Sequence, residues 1–480
     1  MEELFERRYK DSFTLHKRNG PCGVVYGRKF YVWGGEGDRI KAGYEFLQHD
    51  PNFRNLIIRE CVTFPEPEPA QNNDEYCYCT IDEYDLEEGM WRHRITRANS
   101  MEDFPLFGRG CNMVEINGDF YVFSGHNTKI QTQPDGTRQR QGAFTNEVHC
   151  LNTETFEWKR LAPVSNAHIP PPLHLCGTLS YDGKLCVFGG MTRTLRQPPN
   201  HPEIRTAAHL QDGADCHQYG STPDKFWTNE YFEFDTKILE WSSPPVKNRP
   251  PPCGVVTFTR ISDHHAVVFG GNYQDARSDD LFILDIKNKE FTGTLKTGYV
   301  GSWPPRLTFH TTTCLVNPDM VDKCLIPGTP PLTQKLLIAW GKDDEQSISS
   351  DVWLLEINGH DCGSIKWRKL PPQATIEPTA WHTAQPYYID GVEECVVVIF
   401  GGNAYVDKTE PGSARVAVNK LKILQFGVQS LRYLCLVAIR PNLSKYNLSQ
   451  ADHLRKEQIR KHCSQAKLNN TFPLFSVPLS

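Results

Sequence analysis

One short pattern recurs six times along the chain and limits what it can fold into. An apolar run rich in β-branched and aromatic residues ends in Gly-Gly, a polar loop follows, and then comes a second apolar run. The clearest copy is Val267-Val-Phe-Gly-Gly271, its loop, and Leu281-Phe-Ile-Leu-Asp285. Ala266 to Phe269 and Leu281 to Leu284 have the composition of buried strands. Gly270 and Gly271 stand where only glycine lets the backbone turn or approach a neighbour closely.

The other copies begin at Phe30-Tyr-Val-Trp-Gly-Gly35, Phe120-Tyr-Val-Phe-Ser-Gly125, Leu185-Cys-Val-Phe-Gly-Gly190, Leu336-Leu-Ile-Ala-Trp-Gly341 and Val396-Val-Val-Ile-Phe-Gly-Gly402. Their second runs are Ile81–Leu86, Thr145–Leu151, Trp227–Asp235, Asp351–Glu356 and Lys420–Phe426. A late aromatic residue follows in five copies: Trp91, Trp158, Trp241, Phe291 and Trp367; the sixth has none. Another short strand precedes each Gly-Gly run, led in by sequences such as Gly108-Arg-Gly110, Pro305-Arg-Leu-Thr-Phe-His310 and Thr379-Ala-Trp-His382. Each repeat is therefore about four strands.

A chain of 480 residues is too long for one ordinary core unless it is such a repeat. A net charge of −5 with mixed signs argues against broad affinity for nucleic acid or an anionic membrane. No run approaches the roughly 20 apolar residues of a membrane helix. The charged start, Met1-Glu-Glu-Leu-Phe-Glu-Arg-Arg, is unlike a signal peptide. The sixteen cysteines are scattered, many within strand patterns, as expected of reduced thiols in a cytoplasmic or nuclear protein. Cys77-Tyr-Cys79 has no second ligand pair at zinc spacing. No cofactor is implied, and no nucleophile elbow, P-loop or His-Glu-x-x-His motif is present.

Four strands per repeat, a Gly-Gly and a late Trp resemble the kelch repeat, over roughly residues 15 to 427. The resemblance implies an all-β fold: a six-bladed kelch β-propeller spanning 12–427. The sixth repeat ends after its third strand, so Ser12-Phe-Thr-Leu-His-Lys17 is expected to supply the fourth and close the ring. Three insertions lack repeat patterning: Glu36 to Asn73, Asn127 to Ala143, and Met191 to Phe226. The last is a surface loop or a lid over one face.

Beyond Phe426 the character changes to a helical segment, 428–465, and a tail, 466–480. Leu431, Leu434, Cys435, Ala438 and Ile439 form an amphipathic helical stripe, with Ser430 as N-cap and Pro441 near the end. Leu431, Cys435 and Ile439 share one face at i, i+4 and i+8. Ser430-Leu431-x-x-x-Cys435-x-x-x-Ile439 resembles the BC box that docks on elongin C in cullin-RING ubiquitin ligase receptors. Leu431 would be the anchor of a helix-in-groove contact.

A BC-box-like segment behind a kelch propeller is similar to the cullin-2 receptors of the kelch domain-containing protein 2 type. These recognise substrate C-termini ending in glycine. That family's fourth blade carries Phe-Gly-Gly-Arg-Tyr-Arg-Asp-Ala-Arg, whose first and last arginines hold the terminal carboxylate. Here the run is Phe269-Gly-Gly-Asn272-Tyr273-Gln274-Asp275-Ala276-Arg277, so Arg277 is kept and Asn272 replaces the other arginine. The resemblance further assigns Trp227 to the channel wall, Thr308 before Phe309-His310 as a hydroxyl donor, and Trp381 of Trp381-His382 to the pocket. It implies elongin B, elongin C and a cullin as partners, cullin-2 ahead of cullin-5, and a non-catalytic role. Tyr446 to Asp452 lacks the Leu-Pro pair usual in cullin-2 receptors. A kelch interaction scaffold unrelated to ubiquitin and a metal-dependent kelch oxidase using histidines are the alternatives. For the second, His310 and His382 lie where bonding to neighbouring backbone is the commoner use.

Overall fold

The computed structural model describes residues 15, 17–35, 77–100, 103–105, 109–132, 138–193, 216–218, 225–273, 276–296, 299–321, 333–358, 364–371, 376–388, 395–405 and 415–426. The six repeats form six antiparallel meanders, each here called a blade. Blade one is Cys22–Tyr26, Lys29–Trp33, Cys77–Asp85 and Met90–Ala98; blade two is Asn112–Ile116, Asp119–Phe123, Val148–Leu151 and Glu157–Leu161. Blade three is Gly177–Tyr181, Lys184–Phe188, Tyr231–Asp235 and Glu240–Ser242; blade four is Thr257–Arg260, His265–Phe269, Leu281–Asp285 and Glu290–Phe291. Blade five is Thr311–Cys314, Gln334–Ala339, Val352–Asn358 and Ser364–Lys369; blade six has three strands, Thr383–Tyr388, Cys395–Phe400 and Leu421–Phe426.

The innermost strands touch in order around a ring, the last meeting the first. The Gly-Gly strand is second in each blade and is covered on both faces by neighbouring blades. It therefore reads as an unbroken apolar run rather than an alternation. Each of the six blade interfaces holds its own apolar cluster. This is the architecture of a kelch β-propeller.

The late aromatic residue explains itself at these interfaces. Trp158 lies 4.9 Å from Trp33, Trp241 5.3 Å from Phe123, Phe291 5.1 Å from Phe188, Trp367 5.3 Å from Phe269 and Trp91 5.1 Å from Phe400, all between ring centroids. Each outer-strand ring thus packs on the ring that ends the preceding blade's second strand, at tilted geometries favourable for aromatic pairs. Blade six has no late tryptophan, and Trp340 is covered instead by the His382 ring at 5.3 Å and the Lys422 ammonium at 4.6 Å.

Gly270 and Gly271 have φ of +63° and +89°. A Cβ on Gly270 would come within 2.6 Å of His310 Cε1, and one on Gly271 within 2.6 Å of the Gly254 carbonyl. The glycines are thus required both by backbone conformation and by close approach. Ser124 and Trp340, which replace the first glycine in their repeats, adopt φ of 68° and 52° all the same.

Closure centres on Arg18. Its N–H donates to the Val418 carbonyl at 3.1 Å, and its carbonyl accepts from Gly402 N–H at 2.8 Å, both in blade six. Its guanidinium donates to the Gly34 carbonyl at 2.6 Å and pairs with Asp82 at 2.7 Å in blade one. Of the expected closing strand 12–17, residues 12–14 and 16 lie outside the described residues. Leu15 packs on the cluster between blades six and one, and its carbonyl accepts from the Asn419 amide at 2.7 Å.

Two insertions carry more order than their composition announces. Asn127 to Ala143 belongs mostly to a hairpin, His126–Thr132 paired with Arg138–Phe144. Within Met191 to Phe226, Met191–Arg193, Cys216–Gln218 and the start of Lys225–Thr228 are strands of one sheet. Glu36 to Asn73 lies outside the described residues, as do the segments 428–465 and 466–480 with Leu431, Cys435 and Ile439. Pro318–Val321 is the one helix among the described residues, and none there is long and apolar enough to cross a membrane. Eight cysteines with described side chains are free thiols, seven of them buried.

Candidate functional site

The ring of blades encloses a central cavity of about 660 Å³, lined by the innermost strands. Its wall is rich in hydroxyls, among them Thr178, Thr257, Thr259, Thr311 and Thr383. Thr257 and Thr312 share a 2.7 Å hydrogen bond across blades four and five.

At one end, a residue of left-handed backbone stands two positions before each innermost strand: Gly20, Gly110, Leu175, Val255, Phe309 and Trp381. These six form the mouth of the cavity. Their peptides bond around it: Trp381 N–H to Phe309 O at 2.9 Å, Gly20 N–H to Trp381 O at 3.0 Å, Gly110 N–H to Gly20 O at 3.1 Å, and Val255 N–H to Leu175 O at 2.8 Å. The Trp381 indole lies over Gly20, where a Cβ would sit 2.9 Å from the ring. Phe309 packs on it with centroids 4.6 Å apart. The Arg109 guanidinium stands 5.5 Å over Trp381, and the Lys342 ammonium 5.2 Å over Phe309. Two rings capped by two cations thus occupy the mouth.

Around the mouth of blades two to four runs a collar of short strands: Leu173-His174, Met191–Arg193, Lys225–Thr228, Cys253-Gly254, Asn272-Tyr273 and Ala276-Arg277, in that order. Trp227 lies within it. Its indole is 1% exposed, packs on Phe144 and Met191, and covers Gly254, where a Cβ would be 2.1 Å away. Trp227 therefore supports the collar, and the cavity wall expected of it belongs to Phe309 and Trp381. Asn272 pairs in register with Arg277 and with Gly254. Tyr273 is 9% exposed and fills the interface of blades three and four, its hydroxyl beside the Cys253 thiol. Burial pushes both groups up, Cys253 to about 12.

The collar continues into blade five. Gly271 N–H donates to Leu307 O at 2.8 Å and Leu307 N–H to Ser278 O at 3.2 Å. Thr308 and Lys342 exchange two backbone bonds, of 3.0 and 2.7 Å. This ladder brings Arg277, Thr308 and Lys342 into one neighbourhood. Thr308 is fully buried, and its hydroxyl has no hydrogen-bond partner among the described residues. From blade six, Arg415 completes the cluster: its guanidinium stands 5.6 Å over Tyr405, whose hydroxyl accepts the Ile348 N–H at 3.0 Å. Burial, then Arg415, then Arg277 lower the Lys342 ammonium to about 8.

Phe309 and Trp381 line the cavity itself; Arg277, Asn272, Thr308, Tyr273 and Trp227 form the collar and its underside. Lys342 and Arg415 were missed by motif comparison. The available signal was positional: Lys342 follows Gly341 as Asn272 follows Gly271.

His310 and His382 are buried and serve the frame. His382 Nδ1 donates to Thr379 O at 2.9 Å, and the Thr311 hydroxyl donates to its Nε2 at 2.9 Å. Burial lowers both imidazoles to about 3. No group of three or more His, Cys, Asp or Glu side chains arranged to hold a metal occurs among the described residues.

No protein-family model matches the chain. Kelch domain-containing protein 1 of Homo sapiens is 24% identical over 436 residues, which cover 89% of this chain and 85% of that protein. This chain is a kelch-repeat protein similar to kelch domain-containing proteins 1 and 2. Kelch domain-containing protein 2 of Bos taurus is 23% identical over 394 residues, covering 81% of this chain and 76% of that protein. The Homo sapiens form of that protein is 22% identical over the same length.

Proposed function

We propose that the chain is the substrate-recognition subunit of a cullin-RING ubiquitin ligase, binding substrate C-termini at the propeller mouth and elongin C through residues 430–439. The observation that carries the substrate half is the backbone ladder that sets Arg277 near buried Thr308, whose hydroxyl has no partner among the described residues and whose neighbour Phe309 lines a cavity of about 660 Å³. A peptide C-terminus ending in glycine is a carboxylate at neutral pH on a small final residue. Arginine offers it a planar charged fork, and a hydroxyl adds a donor without charge. Phe309 and Trp381 wall the cavity mouth, and in this reading shape at their rings sets the size of the final residue.

The ligase half rests on the pattern Ser430, Leu431, Cys435, Ile439 behind a kelch propeller. Elongin B accompanies elongin C in this reading, and the cullin is cullin-2 ahead of cullin-5. Such a subunit makes and breaks no bonds. It raises the effective concentration of substrate lysines near the ubiquitin-loaded enzyme. Co-expression tests this half: elongin B and C are expected to co-purify with the chain and to be lost on Leu431→Ala with Cys435→Ala. Because Tyr446 to Asp452 lacks a Leu-Pro pair, a kelch scaffold with a purely structural C-terminal helix is the second reading. Unchanged co-purification in the double variant, or none in the wild type, favours it.

A further inference from the structure

The mouth cluster takes its cations from three successive blades: Arg277 from four, Lys342 from five and Arg415 from six. Lys342 occupies in blade five the position that Asn272 occupies in blade four, directly after the Gly-Gly or its equivalent. Its backbone is fixed to Thr308 by two hydrogen bonds, of 3.0 and 2.7 Å, and its ammonium stands over Phe309 at 5.2 Å. Among the described residues no acidic side chain forms an ion pair with it. The adjacent Asp343 carboxylate accepts the N–H groups of Glu345 and Ser347, at 3.0 and 2.9 Å, and so serves its own turn. Asp344 pairs with Arg306 at 3.9 Å.

We propose that Lys342 supplies the second positive charge of the carboxylate site, one blade away from Asn272, and forms with Arg277 and the Thr308 hydroxyl the anion-binding corner of the mouth. This rests on the C-terminus reading given above. Three cations gathered on a partly buried surface repel one another, and an incoming carboxylate relieves that repulsion. Of the three, only lysine can shed its proton near neutral pH, since arginine stays charged. The charged groups facing Lys342 are Arg415 and Arg277, both cationic, so no neighbouring carboxylate offsets the effect. With Lys342 lowered to about 8, binding a carboxylate takes up a proton at alkaline pH.

The experiment uses two N-acetylated peptides of one sequence ending in glycine, one with a free carboxyl and one amidated. Each carries an internal glutamate, so that a side-chain carboxylate is present in both. Titration calorimetry on the full chain at pH 7 and pH 9 is compared for wild type, Lys342→Met and Lys342→Arg, with thermal melts confirming that the variants fold. Wild type is expected to bind the free acid about tenfold more weakly at pH 9 than at pH 7. Lys342→Met is expected to weaken binding at pH 7 about tenfold or more and to lose the pH dependence. Lys342→Arg should keep the affinity within about threefold and also show no pH dependence. If wild type prefers the acid to the amide while Lys342→Met matches it in affinity and pH profile, Lys342 has no such role and the C-terminus reading stands. If wild type binds acid and amide alike, that reading fails and takes this proposal with it.

Discussion

Trp158 and Trp227 are both almost wholly buried, at 0% and 1% exposure, yet they belong to different kinds of structure. Trp158 packs on Trp33 across a blade interface, and four other interfaces repeat the arrangement with Trp241, Phe291, Trp367 and Trp91. Trp227 packs on Phe144, Met191 and Gly254 in a collar that runs across blades two to four and on into blade five. The frame is the same solution used repeatedly. The mouth is assembled once, from loops that differ in every repeat. Stability should therefore answer to the frame and ligand preference to the mouth, with little crossover.

Substitutions in the frame should have the greatest consequences. Trp158→Ala removes a large buried ring and should cost about 4 kcal/mol of stability, read by chemical denaturation. Asp82→Asn leaves the Arg18 guanidinium buried without its anion and should cost about 3 kcal/mol. A melt coupled to proteolysis would report whether blades one and six open first.

Acid provides a third test of the frame. His310 and His382 titrate at about 3 in the fold and near 6.5 when the chain is unfolded. Below pH 6.5 the unfolded chain binds more protons, so stability is full above that pH and falls as pH drops towards 3. Each histidine contributes a slope of up to about 1.4 kcal/mol per pH unit, measurable as a midpoint shift in denaturant between pH 7 and pH 5.

At the mouth the pattern should reverse. Arg277→Ala should weaken binding of a free C-terminus by about tenfold to a hundredfold while leaving the denaturation midpoint nearly unchanged. Asn272→Arg is expected to strengthen that binding by about tenfold, because it adds a charge-assisted donor beside Arg277 in register. A large loss of stability in either variant would show that the mouth and the frame are not separable.

This division also sets what the sequence could reveal. The frame was legible because repetition multiplies a weak signal: Val267 to Gly271 alone says little, but six copies with a late aromatic fix the blade. The role of that aromatic was not legible, since its partner is in the preceding blade. The Arg18–Asp82 closure was missed for the same reason, as the two are 64 residues apart with no local pattern joining them. At the mouth, comparison with related kelch sequences reached Arg277 and Thr308. It gave no hint of Lys342 or Arg415, which become neighbours only when blades four, five and six are set side by side. Resemblance alone placed Trp227 in the channel wall; the hairpin carrying Phe144 and the strand at Met191, both distant in sequence, bury its ring.

If the mouth reads a chain end, a free terminal carboxylate must matter to binding. Calorimetric titration of the wild-type chain with a glycine-ending peptide, as the free acid and as the amide, decides this. The acid is expected to bind at least about tenfold more tightly, and Arg277→Ala to reduce that preference sharply. Equal binding of acid and amide, or an acid preference untouched by Arg277→Ala, would overturn the reading.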